Sequence, residues 1–353
     1  MAGSWNYLSR RKFIKTAACL TGTAVASPAY ARDFYQGKQI SLVVGSDTGG
    51  GYDACARLLA RYWPKYIPGN PTIVVRNMPG AGSLNAMNFV ANAAPKDGLT
   101  VGAPQNTIGY EPIMGLSGSR ENARFDARKL NWLGSMSKEV SIPILWNPPP
   151  VSSFQELIDT KKKVTTGSTG ISTPNSTYAH LMNAILGTNF DVIQGYTSQN
   201  ALFLAMERGE LQGSGGPFYS SVIASKPDWI RDKKVTILVQ IALEKHPALP
   251  DVPLIFDFVK TPEGIQEMKL ATAALSMGRP YVLAEGVPDE LVNILKTAFM
   301  AAVKDPELLE EAGHIGVDIN PIDGAAVQSL LVGMYNTPQN VVDTVAEIFV
   351  PKN

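Results

Sequence analysis

The sequence predicts a two-lobed α/β protein with a ligand cleft between its lobes. Two separate series of alternating strand and helix signals carry this reading, one over residues 40–102 and one over residues 163–241. A stiff Pro148-Pro149-Pro150 segment lies between them, and a helical last third must pack back on one of them. Three loops rich in Gly, Ser and Thr fall where strands give way to helices, which is where parallel α/β folds hold ligands.

The first thirty-one residues are read as an export signal rather than as fold. Ser9-Arg10-Arg11-Lys12-Phe13-Ile14-Lys15 is a basic stretch with a twin-arginine pair. A run of small and apolar residues follows from Thr16 to Ala26, and Ala29-Tyr30-Ala31 is a small-x-small cleavage site. A spanning helix needs about 20 apolar residues, so this run is too short. Thr16 stands where a lipoprotein signal wants Leu, which argues against lipidation at Cys19. The expected mature protein begins at Arg32 and is periplasmic.

Removing residues 1–31 takes away four basic residues and no acid. Of 31 basic and 31 acidic residues, 27 and 31 remain, a net charge of −4. That balance argues against a nucleic-acid binder. Cys55 is the one cysteine left, so no internal disulfide can form. A mature chain of 322 residues buries its core without staples and is long enough for two domains.

Ile40 to Val44 is a β-branched strand that runs into Gly45-Ser46-Asp47-Thr48-Gly49-Gly50-Gly51. Ala56, Leu59, Ala60 and Trp63 then fall at helical spacing. After the turn at Pro68-Gly69-Asn70-Pro71 come a strand at Thr72 to Val75, a glycine loop at Asn77 to Gly82 and a helix from Ser83 to about Ala93. Leu99 to Gly102 is the third strand. Such short links read as a parallel sheet covered by helices.

Asn131 to Asn147 holds two short apolar runs broken by Ser137-Lys138-Glu139. The second series contains strands near Val164, Val192, Leu211 and Val235, with helices from about Asn175 to Leu186 and from Ala201 to Arg208. Pro288-Asp289-Glu290 starts a helix, with proline in the first turn and acids at its positive end. Asp323 to about Ile348 reads as one more helix. The expected lobes are residues 32–136 with 244–353, and residues 137–243. The chain is expected to cross near Gly134 and to return near Leu243.

The three loops are Ser46 to Asp53, Gly167 to Thr173 and Gly213 to Ser220. Glycine lets backbone approach a ligand, and a helix start offers free N–H donors to an anion. Two such loops on facing lobes would hold a carboxylate without an arginine. Asp53 reads either as an ordinary first-turn acid or as one that disfavours an anion there unless it orients the loop's amides or meets a ligand ammonium or hydroxyl. Sharper motifs fail. Gly51-Tyr52 stand where a P-loop needs Lys-Ser/Thr, and no dinucleotide fingerprint or nucleophile elbow occurs. His180, His246 and His314 are scattered without metal-ligand spacing. No cofactor, metal or catalytic set is expected.

At these loops the sequence resembles the substrate-binding proteins of tripartite tricarboxylate transporters, the Bug receptors. The resemblance rests on Val43-Val44-Gly45 through Gly49-Gly50-Gly51-Tyr52-Asp53, then Ala56-Arg57-Leu58-Leu59-Ala60. It continues in Asn77-Met78-Pro79-Gly80-Ala81-Gly82, Ala94-Pro95-Lys96-Asp97-Gly98 and Gly286-Val287-Pro288. It implies a periplasmic-binding-protein fold of the Venus-flytrap, type II-like kind. It also implies a receptor for small carboxylates, amino acids, aromatic acids or amides; the expected protein is a monomer that passes a small carboxylate to a large and a small integral-membrane permease subunit. The implied ligand contacts are Ser46, Asp47, Thr48, Gly49, Gly50, Gly51, Tyr52, Asp53 and Asn106 from lobe one. From lobe two they are Ser168, Thr169, Ser172, Thr173, Tyr196, Thr197, Gly216, Pro217 and Phe218. Two departures stand out. Gly45-Ser46-Asp47-Thr48 replaces the family's Pro-Phe-x-Pro, and Gly195-Tyr196-Thr197-Ser198 replaces its Pro-Tyr-Lys-Gly. Loss of that lysine argues against the family's usual dicarboxylate ligand. A receptor feeding a membrane sensor kinase, or an enzyme on the same lobes, would use the same fold.

Overall fold

The computed structural model describes residues 34–171 and 173–350. The export-signal reading of residues 1–31 and the candidate contact Ser172 lie outside them.

Two mixed sheets form the frame. The first contains β1 (Gln39–Val44), β2 (Thr72–Asn77), β3 (Thr100–Ala103) and β4 (Asn131–Ser135). The second contains β5 (Ile144–Trp146), β6 (Val164–Gly167), β7 (Phe190–Ile193), β8 (Gly213–Ser214) and β9 (Val235–Ile237). The chain then returns to the first sheet with β10 (Pro280–Leu283) and β11 (Ile322–Asp323). The strand orders are β11-β4-β10-β3-β1-β2 and β7-β6-β8-β5-β9.

The expected parallel βαβαβ unit is present, with β1 pairing in parallel to both β2 and β3. Beyond it the sheet turns antiparallel, because β10 runs against β3 and β4, and β11 against β4. The second sheet divides likewise, parallel on the β6 side and antiparallel where β5 meets β8 and β9.

The helix Gly51–Tyr62 shows how pattern becomes packing. Its buried face is Cys55, Ala56, Leu58 and Leu59, and Trp63 at its end meets Phe299 edge to face at 6.0 Å. Phe299 comes from the helix Asp289–Ala302, whose Leu291, Val292, Leu295 and Ala298 are also buried. A second apolar cluster runs from Met277 and the helix Pro262–Ala273 into Tyr178, Leu181 and Met182 beside the second sheet. Helix Gln339–Phe349 packs on both Pro262–Ala273 and Pro174–Leu186. The chain therefore comes back to the second sheet's side after its last strand.

The single helix expected from Asp323 to Ile348 is two, Gly324–Tyr335 and Gln339–Phe349. Pro338 between them has no N–H to donate and pushes Thr337 out of helical geometry. The break lets the second helix turn onto the other sheet.

Candidate functional site

The loop after β1 is organised from beneath by Asp53, which is 2% exposed. Val44 and Asn77 are register partners, so the end of β2 brings Asn77 under the same loop. The Gly49 amide donates to Asp53 Oδ2 at 2.8 Å and Arg57 Nε to the same oxygen at 2.9 Å. Asn77 Nδ2 donates to Asp53 Oδ1 at 2.9 Å and to the Ser46 carbonyl at 3.0 Å. Arg57 Nη2 completes the ring on Asn77 Oδ1 at 3.1 Å. Asp53 thus orients a loop amide, and Gly49 N–H is consumed inside the protein.

Burial pushes the Asp53 carboxyl up, but the hydrogen bonds from Arg57, Gly49 and Asn77 outweigh it and hold the pKa at about 2. A folded-state pKa below the unfolded 3.8 stabilises the protein above about pH 4 and ceases to do so as pH falls through about 2. Denaturation midpoints should therefore drop across this window in wild type and drop less in Asp53→Asn. Equal slopes in the two proteins would refute this role for Asp53.

Tyr52 follows the glycines and faces the other lobe. Its hydroxyl donates to Asn106 Oδ1 at 2.9 Å and accepts from the Asn106 amide at 3.1 Å. Asn106 Nδ2 is fixed on the Ala274 carbonyl at 3.1 Å. Across from this pair lie Pro174, Thr177 and Tyr178 at the start of the helix Pro174–Leu186, together with Phe218 after β8. Between them is a cavity of about 230 Å³, closed at one side by Phe349 and Val350.

Of the sequence-predicted contacts, the structure brings Tyr52, Asn106 and Phe218 together in this wall. Gly49, Gly50 and Gly51 line a neighbouring cavity of about 170 Å³ with Ser220 and Arg279. Ser46 is half-buried, and Asp47 and Thr48 are exposed on the same loop. Ser168 Oγ, Thr173 Oγ1 and the Gly170 carbonyl lie within 2.8 Å of one another, so one hydroxyl donates to the carbonyl and the two protons are shared within this triangle, with half-buried Thr169 between them in the chain. Their hydroxyls shape their own loop. The Tyr196 amide donates to the Ser168 carbonyl at 3.2 Å, and Thr197 is exposed. Gly216 accepts from Ser141 Oγ at 2.8 Å, and the Pro217 carbonyl accepts from Ile142 N at 2.9 Å. These bonds seat Phe218.

Sequence reasoning missed Gln105, Thr107, Tyr110, Pro174, Thr177 and Tyr178 in the cavity wall, and Arg279 beside it. Arg279 precedes β10 and stacks on the Tyr52 ring, 4.4 Å from its centroid. Its Nη2 pairs with Glu139 Oε1 at 3.2 Å, and Nη1 donates to the Gly278 carbonyl at 2.9 Å. Glu139 lies in the segment joining β4 to β5, and its Oε2 accepts from Ser220 Oγ, on the second sheet's side, at 2.8 Å. Burial opposes the guanidinium's charge, but Tyr52, Glu139 and Cys55 outweigh it and hold its pKa above the ordinary arginine value. Burial pushes the Glu139 carboxyl up, against the pull of Arg279 and the Ser220 hydroxyl.

Two sheets, joined by crossing segments, meet across a cleft walled by strand-end loops and helix starts. That arrangement defines the class of two-lobed periplasmic solute-binding proteins. The chain belongs to the tripartite tricarboxylate transporter family receptors, whose family model matches residues 57–343. A curated relative is the UPF0065 protein in the TAR-I ttuE-ttuC' intergenic region of Agrobacterium vitis. It is 25% identical over 316 residues, covering 85% of this chain and 81% of the relative. Among solved structures, a TctC solute binding protein from Polaromonas superposes with a TM-score of 0.69 at 17% identity, over 88% of this chain and 99% of that one. MatC from Rhodopseudomonas palustris, with bound malate, gives 0.57 at 17% identity, over 86% and 99%. These structures share the fold.

Proposed function

We propose that the protein is a periplasmic receptor that captures a small carboxylate-bearing metabolite between its lobes. It would hand that metabolite to the large and small membrane subunits of a tripartite tricarboxylate-type transporter. The observation that carries this reading is the cavity of about 230 Å³ walled by Tyr52 and Asn106 on one side and by Pro174, Thr177, Tyr178 and Phe218 on the other. Malate in a protein of the same fold supports a small acid as cargo. The twin-arginine pair Arg10-Arg11 and the site Ala29-Tyr30-Ala31 support export with cleavage after Ala31.

The proposed moving bodies are residues 32–136 with 244–353, and residues 137–243. Support comes from the first sheet, built from strands that end at Ser135 and resume at Pro280. Helix Gln339–Phe349 would be a strap between the bodies.

Protein recovered from the periplasm should begin at Arg32. A panel of small acids should contain one that raises its thermal stability, since ligand at 100 times Kd adds about 2.7 kcal/mol. With that acid, small-angle scattering should show a smaller radius of gyration as hinged bodies close. A panel that leaves both stability and radius unchanged would sink the receptor reading.

A further inference from the structure

The cavity's lining has a character that the receptor reading alone does not supply. Five aromatic rings contribute to it: Tyr52, Tyr110, Tyr178, Phe218 and Phe349. Among the described residues that line it, none carries a formal charge at neutral pH. The neighbouring guanidinium of Arg279 stacks on Tyr52 without lining the cavity, and its charge is answered by Glu139 at 3.2 Å.

The polar atoms in the wall divide sharply. The Tyr52 hydroxyl is spent on Asn106, and the Tyr110 hydroxyl donates to the Leu270 carbonyl at 2.7 Å and accepts from Ala274 N at 3.1 Å. These two rings offer the cavity little but hydrocarbon. Tyr178 is different. It is 6% exposed, it lines the cavity, and its hydroxyl has no hydrogen-bond partner among the described residues. The side-chain amide of Gln105, on the opposite lobe, is likewise without a partner among the described residues.

We infer that the ligand is an aromatic acid with a single carboxylate, its ring packed among the aromatic side chains and its carboxylate accepting from Tyr178 and Gln105. This rests on the receptor reading and narrows it. Aromatic rings attract one another edge to face or offset, beyond the area they bury. A second carboxylate would lose its hydration with no cation in the wall to replace it. A volume of about 230 Å³ lies below the roughly 300–1,000 Å³ of pockets for drug-sized ligands. One ring with a short substituent suits it.

Isothermal titration calorimetry of the mature protein with benzoate, cyclohexanecarboxylate and malate tests this. Benzoate should bind at least about 10-fold tighter than malate and several-fold tighter than cyclohexanecarboxylate. Tyr178→Phe removes one charge-assisted hydrogen bond and should weaken benzoate about 10- to 100-fold. Gln105→Leu provides the same test from the other lobe should Tyr178→Phe fold poorly. Malate binding as tightly as benzoate would overturn the aromatic monocarboxylate and leave the receptor intact. Benzoate affinity unchanged in both folded variants would overturn the assigned donors. Silence from all three acids, together with no stabilisation by any acid of the wider panel, would overturn the receptor reading as well.

Discussion

Arg279→Met is expected to destabilise the ligand-free protein by about 3–5 kcal/mol, the range for removing one partner of a buried ion pair. Arg279 is 12% exposed and Glu139 4%. Without the guanidinium, Glu139 keeps the Ser220 hydroxyl as its one side-chain hydrogen bond. A carboxylate so placed is costly, and its pKa should rise further. For an acid raised in the folded state, stability is greater when it is protonated, so the variant's deficit should shrink as pH is lowered toward 5. Arg279→Met combined with Glu139→Gln should recover most of the loss, since the unpaired charge is gone. Urea titration of both variants would show it. Additive losses in the double variant would mean that the two residues are not coupled, and that Arg279 acts through Tyr52 alone.

The parts of this molecule that were legible in the sequence are those that depend on near neighbours. Ile40 to Val44, the glycines behind it and the spacing of Ala56, Leu59 and Trp63 specify a strand, a turn and a helix within about 25 residues. Asp53 was legible as an acid of several readings, among them one that orients the loop's amides, and the Gly49 contact at 2.8 Å is of that kind. Arg279 was not legible. It stands before an ordinary apolar strand, and its meaning comes from Tyr52 and Glu139, 227 and 140 positions away. Tyr178 was hidden in the same way. In a helix beginning Pro174-Asn175-Ser176-Thr177-Tyr178, an aromatic at the fifth position reads as core, and only the opposite lobe makes its hydroxyl a candidate contact. Ser168 and Thr173 show the converse. Hydroxyls in a strand-to-helix loop suggested ligand donors, yet the shortest path to satisfaction was their own Gly170 carbonyl. Local pattern names the residue types a loop needs; it does not say which of their atoms remain free after folding.

Glycines make the same point in a form that mutation can read. Gly213 and Gly50 both belong to loops whose glycines were expected to admit a ligand. Gly213 is in β8, the middle strand of the second sheet, paired with Thr166 on one side and Leu145 on the other. A Cβ there would fall 2.3 Å from the Ile144 carbonyl oxygen and 2.7 Å from Leu145 Cδ2. The first of these is backbone in a hydrogen-bonded ladder and cannot rotate away. Gly213→Ala should therefore cost at least about 3 kcal/mol, at the upper end of overpacking effects, or prevent soluble folding. It should also weaken any ligand held by Phe218, because Gly213 and Phe218 are five residues apart on the strand and loop that seat it. Gly50 has φ −79, and a Cβ there would meet nothing nearer than the Asp47 carbonyl at 3.6 Å. Gly50→Ala should change stability by less than about 0.5 kcal/mol, as exposed sites usually do. Chemical denaturation of the two variants side by side decides the matter. A Gly213→Ala protein as stable as wild type would mean that β5 and β8 can separate, and that the glycine is there for the ligand after all.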